Sequence, residues 1–301
     1  MNGSTSPGGD RSSPNASKSM PASGTSGTPD RNPGDADLQA SISQAIAHAI
    51  EHDQLVLHYQ PILDLRTDSI HAYEALVRWN RPDAALVPPA EFIPVAETSD
   101  LICRVGAWVI DRAARQLTDW NNNNGHRQLV VAVNVSGRHI NTPRIRDDVA
   151  AALHAHDIDP AQLVLEITET VAIDEPAVDN LHKLRRLGVG LSLDDVGTGH
   201  NTIDQLSRLP LNSIKVDCTY IDPTTPSHRR ALQQLVDVAH SLGLTVCGER
   251  VEREDQLAVL RSLGAEAAQG YLLGHPVPAQ DLPGRLSRQQ QPLPPADPGP
   301  W

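Results

Sequence analysis

Seven short apolar runs in this chain each end on an acidic side chain, an amide or a lysine. HAYEAL delivers Glu74 and VVAVNVS delivers Asn134. LVLEITE delivers Glu166, and VGLSLDDV delivers Asp194 and Asp195. SIKVD delivers Lys215 and Asp217, LTVCGE delivers Glu249, and AEAAQGY delivers Gln269. Between these strand-like runs lie stretches with apolar residues at helical spacing, such as Leu232, Leu235, Val236 and Ala239. The spacing predicts helices over 88–121, 144–156, 177–187, 202–209, 228–242 and 253–263, the last closed by Gly264 as C-cap. Alternating strands and helices predict an α/β fold with a parallel sheet and covering helices. About eight such units over roughly 250 residues predict a TIM-like (β/α)8 barrel. Its active site lies at the C-terminal ends of the strands, where the polar residues fall. An open, doubly wound sheet is the alternative, but it would place ligands only at a switch point.

Carboxylates at buried strand ends are costly unless something pairs them. Glu74, Glu166, Asp194, Asp195 and Glu249, with the Asn134 amide among them, predict a shared oxygen-rich metal site. Hard divalent cations such as Mg²⁺ and Mn²⁺ prefer that donor set. Asp194 and Asp195 are neighbours and would ordinarily face opposite sides of a strand. Both reach one site only if the strand turns there, and Gly197-Thr198-Gly199 is the expected turn. No GxGxxG or Walker pattern completes those glycines, which argues against a phosphate-cradling loop.

Charge and composition narrow the classes. With Lys+Arg 25 against Asp+Glu 37 and a formal net charge of −12, the chain lacks the basic surface that nucleic-acid polymers require. Residues 1–37 are dominated by polar and small side chains and read as a disordered tail. Residues 287–301 are rich in Pro and Gln and read likewise, leaving one domain over 38–286. MNGSTSPGGD carries no signal-peptide h-region, and no apolar run approaches the ~18 residues of a membrane span. Cys103, Cys218 and Cys247 have no paired spacing and read as reduced core cysteines. The expected setting is therefore cytoplasmic, without membrane insertion.

The runs resemble the EAL domain, a bacterial family that hydrolyses the second messenger cyclic di-GMP. The namesake tripeptide is Glu74-Ala75-Leu76, inside YEALVRWNRP. The match continues through PPAEFIPVAETSDLI, NVS, LEITE, LDDVGTG, LSRLPLNSIKVD and AAQGYLLGHPVP, in order, from about Leu55 to Pro278. The resemblance implies two metal ions, Mg²⁺ or Mn²⁺. Glu74, Asn134 and Glu166 match ligands of one, Asp194 the shared carboxylate, and Asp195 and Glu249 ligands of the other. Lys215 and Gln269 match residues that hold the attacking water and the phosphate region, and Glu249 also counts among the catalytic groups. Gln60, Leu76 and Arg78 match the substrate side, with Arg78 on a phosphate; Asp217 and Glu252 match outer members of the site. Glu169 matches the residue that steadies the loop after Asp195. A homodimer is a further implication.

Three departures stand out. The family's DDFGTGYSS is here Asp194-Asp195-Val196-Gly197-Thr198-Gly199-His200-Asn201-Thr202, without its aromatic residues. The family's EGVE is Glu249-Arg250-Val251-Glu252, so a cation follows an expected metal ligand where glycine is usual. The segments flanking the barrel carry no sensor or GGDEF-type pattern, so none is expected in this sequence. Arg250 would compete for Glu249, bind a substrate phosphate, or point away by strand alternation; a positive φ there would add strain. The expected activity is metal-dependent hydrolysis of cyclic di-GMP to linear pGpG. The alternative is an EAL-type receptor that binds cyclic di-GMP or a protein partner without turnover.

Overall fold

A computed structural model describes residues 33–82, 85–123, 129–168, 175–196, 203–220 and 226–282. Helix α1 (Pro33–Glu51) starts within the segment that composition assigns to the tail and leads into β1 (Leu55–Asp64). A short reversal over 65–68 returns the chain as β2 (Ser69–Asn80). The Asp64 carboxylate shapes that reversal by accepting from the backbone N–H of Arg66 (2.7 Å) and Thr67 (3.1 Å). The chain continues through β3 (Leu86–Val87), α2 (Pro89–Ala96), α3 (Leu101–Asn123) and β4 (Val130–Val135). Next come α4 (Gly137–Ile140), α5 (Arg144–His156), β5 (Leu163–Thr168), α6 (Glu175–Leu187) and β6 (Gly190–Val196). Helix α7 (Ile203–Arg208), β7 (Ser213–Asp217), α8 (Pro226–Ser241), β8 (Thr245–Glu249), α9 (Glu254–Leu263), β9 (Ala267–Gln269) and β10 (Val277–Pro278) complete the described chain.

Strands β2, β4, β5, β6, β7, β8 and β9 pair parallel in that order, and β1 joins both ends of the row. The result is the expected closed eight-stranded barrel wrapped by helices. One strand departs from the all-parallel expectation: β1 is antiparallel to both β2 and β9. The reason is local. Parallel neighbours need a crossover of a dozen or more residues, and the reversal at 65–68 is a hairpin. The helix expected over 88–121 is also two helices. Thr98 Oγ1 turns back to the Val95 carbonyl (2.7 Å), and Ser99 Oγ accepts from Leu101 N–H (3.3 Å), so one helix closes and the next opens there. Gly264 closes α9 as expected, with φ 83° and its N–H returning to Leu260 and Arg261 carbonyls.

Two apolar layers hold the fold. The larger lies between the outer barrel surface and the helices, with Ile110, Leu117, Val133, Leu165, Leu193 and Val236 all buried. The smaller fills the barrel itself: Ile62, Ala72, Ala132, Val164, Cys247 and Ala267. Strand alternation separates them, since successive side chains face opposite sides of the sheet.

Candidate active site

The same alternation builds the site. Two residues beyond each member of the barrel plug, on the same face, comes a polar side chain: Ala72 then Glu74, Ala132 then Asn134, Val164 then Glu166, Cys247 then Glu249, Ala267 then Gln269. In antiparallel β1 the order reverses, so Gln60 precedes Ile62 and still reaches the same end, opposite Glu74. On β6 and β7, the buried serines Ser192 and Ser213 take the plug position before Asp194 and Lys215.

Lys215 is the hub. Its fully buried ammonium lies 2.6 Å from Glu249 Oε1, 2.9 Å from Glu166 Oε1, 3.4 Å from Glu74 Oε2 and 3.9 Å from Asp194 Oδ1. Burial alone would lower its proton affinity, but the surrounding carboxylates raise it well above the ordinary lysine value. Gln269 Nε2 donates to Glu74 Oε2 (2.6 Å) and Gln60 Oε1 (3.0 Å), while Gln60 Nε2 donates to the Gly274 carbonyl (3.1 Å). Asn134 Nδ2 donates to Glu74 Oε1 (2.5 Å). In this rotamer its amide nitrogen faces the cluster, so ligation through Oδ1 requires the amide to turn over.

Glu74, Glu166, Asp194, Asp195, Asp217 and Glu249 against Lys215 and Arg250 leave a formal excess of four negative charges in the cluster, among the described residues. The carboxyls respond. Burial pushes Glu166 well above the ordinary range despite Lys215, and burial with the neighbouring carboxylates raises Glu249 to about 8. Burial works against ionised Glu74 too, but Lys215 and the Gln269 and Asn134 amides outweigh it and hold its carboxyl low. Glu166 Oε2 is buried and receives no hydrogen bond among the described residues. A cluster of buried oxygens with uncompensated charge fits a hard divalent cation. Asp194, Asp195 and Glu249 each place a carboxylate oxygen within 4.8 Å of the others'.

Asp195 joins that trio through a turn that the glycine reading misplaced. Its own φ is 57°, and the β6–β7 register shifts between Leu193 and Val196. A bulge at Asp195 itself therefore swings both carboxylates to one side, and Asp194 Oδ1 fixes it by accepting from Asp195 N–H (2.9 Å). Asp's tolerance of the left-handed region was the signal available in the sequence. Residues 197–202 and Glu169 lie outside the described residues.

The remaining expected residues divide. Asp217 is buried; its Oδ1 accepts from Thr219 N–H (2.7 Å) and its Oδ2 pairs with Arg250 (2.8 Å). Leu76 and Arg78 follow Glu74 on the same face of β2 and are half-buried. Arg78 Nη1 donates to the Val77 carbonyl (2.9 Å), and burial lowers its proton affinity. Glu252 is exposed, and among the described residues its side chain has no hydrogen bond or ion pair to the cluster. Sequence reasoning missed Gln256. Its Oε1 accepts from Glu252 N–H (2.9 Å) and Arg253 N–H (3.0 Å), and its Nε2 donates to the Cys218 carbonyl (3.2 Å). Gln at the third position of α9 was the signal, disguised because Arg rather than Ser or Thr stands at the N-cap.

Fold and site together define a (β/α)8-type barrel with an acidic centre at the C-terminal ends of its strands. The EAL domain model matches residues 43–276, and the chain belongs to the EAL-domain family. The cyclic di-GMP phosphodiesterase NbdA of Pseudomonas aeruginosa is 39% identical over 249 residues, covering 81% of this chain and 32% of NbdA. The oxygen sensor protein DosP of Escherichia coli is 38% identical over 250 residues, covering 82% and 31%. The chain thus spans about a third of the length of these curated relatives. Among solved structures, the PaMucR phosphodiesterase in complex with c-di-GMP is 36% identical, with a TM-score of 0.75 over 80% of this chain and 99% of that one. The FimX EAL domain from Pseudomonas aeruginosa bound to c-di-GMP is 29% identical, with a TM-score of 0.73 over 79% and 98%.

Proposed function

We propose that this chain hydrolyses cyclic di-GMP to linear pGpG with two divalent cations, Mg²⁺ or Mn²⁺. The observation that carries the reading is the convergence of four strand-end carboxylates on one buried lysine, with Asp195 beside two of them. A phosphodiester is an anion, and a cluster with four excess negative charges repels it unless cations intervene. Divalent ions would supply that neutralisation and lower the pKa of a water between them. Glu74, Asn134 and Glu166 would hold one ion, Asp195 and Glu249 the other, with Asp194 shared.

The chain's own groups then divide the work. Lys215 keeps its proton, so it acts as a donor, orienting the attacking water and offsetting charge as it develops. Arg78 offers two parallel N–H groups to a phosphate once it leaves Val77. Gln60 and Gln269, already bonded to each other, position the phosphate region beside Leu76. Asp217 and Glu252 support from outside, and Glu169 steadies the loop after Asp195. The water oxygen bonds to phosphorus, the bond to O3′ breaks, and the water's proton ends on that oxygen. The ring opens once and yields a 5′-phosphate.

Purified chain incubated with cyclic di-GMP and Mg²⁺ or Mn²⁺ should give pGpG on chromatography. EDTA should stop it, and Ca²⁺ should inhibit, because its larger and looser shell misplaces the water. Glu74→Ala should remove Mn²⁺ binding and turnover together. Tight binding of cyclic di-GMP without turnover at any metal concentration overturns the hydrolase reading in favour of a receptor.

A further inference from the structure

Arg250 immediately follows the carboxylate at the end of β8, and it has φ 54°. Left-handed backbone is unfavourable for a long side chain and persists only where surrounding structure dictates it. Here both sides do. Val251 N–H donates to the Gln269 carbonyl (3.0 Å), and the Val251 carbonyl accepts from Leu272 N–H (3.0 Å). Gly270 packs so closely on the Val251 backbone that no Cβ fits between them. Gln256 then captures the N–H groups of Glu252 and Arg253 and ties them to the Cys218 carbonyl. The chain must therefore turn at 250, a turn glycine would make without strain.

The side chain that takes the strain is directed at the site. The Arg250 guanidinium lies 2.8 Å from Asp217 Oδ2 and 3.5 Å from Asp195 Oδ1, joining the ends of β6 and β7 from the end of β8. Asp195 is one of the three carboxylates placed to share a cation. The side chain remains 56% exposed, so the guanidinium can withdraw into solvent.

We infer that Arg250 is a resident counter-cation that competes with the second divalent ion for Asp195 and sets the metal concentration at which that site fills. This rests on the reading of the cluster as a divalent-metal site. Asp217 anchors Arg250 through the shorter contact, so the competing charge stays beside Asp195 while the ion enters. The guanidinium does not replace the ion chemically. It has no open coordination position and cannot activate a water, so Asp195 is partly neutralised but the site stays without competence until metal outcompetes the guanidinium.

Calorimetric titration of metal-stripped chain with Mn²⁺ tests this on four proteins: wild type, Arg250→Gln, Arg250→Gly and Arg250→Lys. Removing the charge should tighten the weaker Mn²⁺ site about tenfold, the size expected for one guanidinium acting on a divalent ion across a few ångströms at high effective dielectric. Arg250→Gln and Arg250→Gly should tighten it alike, because charge rather than strain opposes the ion. Arg250→Lys should stay within about threefold of wild type, and the difference between wild type and Arg250→Gln should shrink at high salt. An unchanged affinity in Arg250→Gln, or tightening confined to Arg250→Gly, overturns the inference while leaving the metal reading intact. Absence of Mn²⁺ binding in all four at millimolar metal overturns both.

Discussion

The two halves of the barrel interior use the same strands to opposite ends. Toward one end, Ile62, Ala72, Ala132, Val164, Cys247 and Ala267 form a dry plug of mostly small side chains. Two residues further along, the same strands present Gln60, Glu74, Asn134, Glu166, Glu249 and Gln269. The lower layer is stabilised by being there; the upper layer is costly, because burying like charges raises the free energy of the metal-free state. The difference teaches that the plug and helices maintain the frame, while the acidic layer is held in a state that only counter-charge relieves. Lys215 supplies one such charge from within.

The sharpest way to break this comparison is to remove that charge. Lys215→Ala should destabilise the metal-free domain by about 3–5 kcal/mol, the usual cost of stranding buried charges. Mn²⁺ should recover much of the loss, since binding to the native state alone stabilises it. Turnover should still fall about 10²–10³-fold with metal bound, as for loss of a donor to developing charge. Melting curves with and without Mn²⁺, and kcat at saturating metal, check both; a variant with near-normal kcat refutes the role of Lys215.

The plug should answer in the opposite way. Ile62→Ala leaves a cavity in the lower layer and should cost about 2–5 kcal/mol. Its Mn²⁺ affinity should match wild type when measured below the melting transition. A changed affinity would show that the two layers are not separable.

Protons should report the upper layer more gently. Glu249, raised to about 8, and Glu166, raised well above its ordinary value, bind protons more tightly folded than unfolded. A raised carboxyl makes the folded state the better proton binder, so metal-free stability falls as pH rises from roughly 5 to 8. Metal requires the ionised forms, so its stabilising effect grows over the same window. The gap in melting temperature between Mn²⁺-loaded and EDTA-treated protein should therefore widen by several degrees from pH 5.5 to pH 8; a constant gap contradicts the assignment. The smallest effect belongs to Gln256→Ala, which frees three hydrogen bonds at the rim and should lower the melting temperature by about 2–4 °C.

Most of the frame was legible because it rests on two periodicities. Runs such as LVLEITE announce both a buried strand and the polar residue at its end, and 144–156 reads as a helix at the boundaries observed for α5. What escaped depends on backbone geometry that side-chain patterns do not encode. The reversal of β1 hangs on Asp64 capturing two N–H groups. The sequence asks for a turn after Asp194, but its position at Asp195 rather than at the following glycines depends on the backbone. Arg250 had three open readings, and the structure shows another: the left-handed backbone turns the guanidinium toward Asp195 and Asp217 rather than onto Glu249.

The reversed first strand has a consequence for how the molecule is made. The β1–β2 hairpin forms from neighbouring sequence, but the other edge of β1 pairs with β9, and Gln60 meets Gln269 across 209 positions. At a synthesis rate of about 5–20 residues per second, that edge waits roughly 10–40 s for its partner. Until then an unpaired strand edge stands open beside a half-built acidic layer, which is when wrong pairing is most dangerous. Ribosome-stalled chains ending before Ala267 should remain protease-sensitive in the hairpin, and chains that extend past β10 should become resistant in one step.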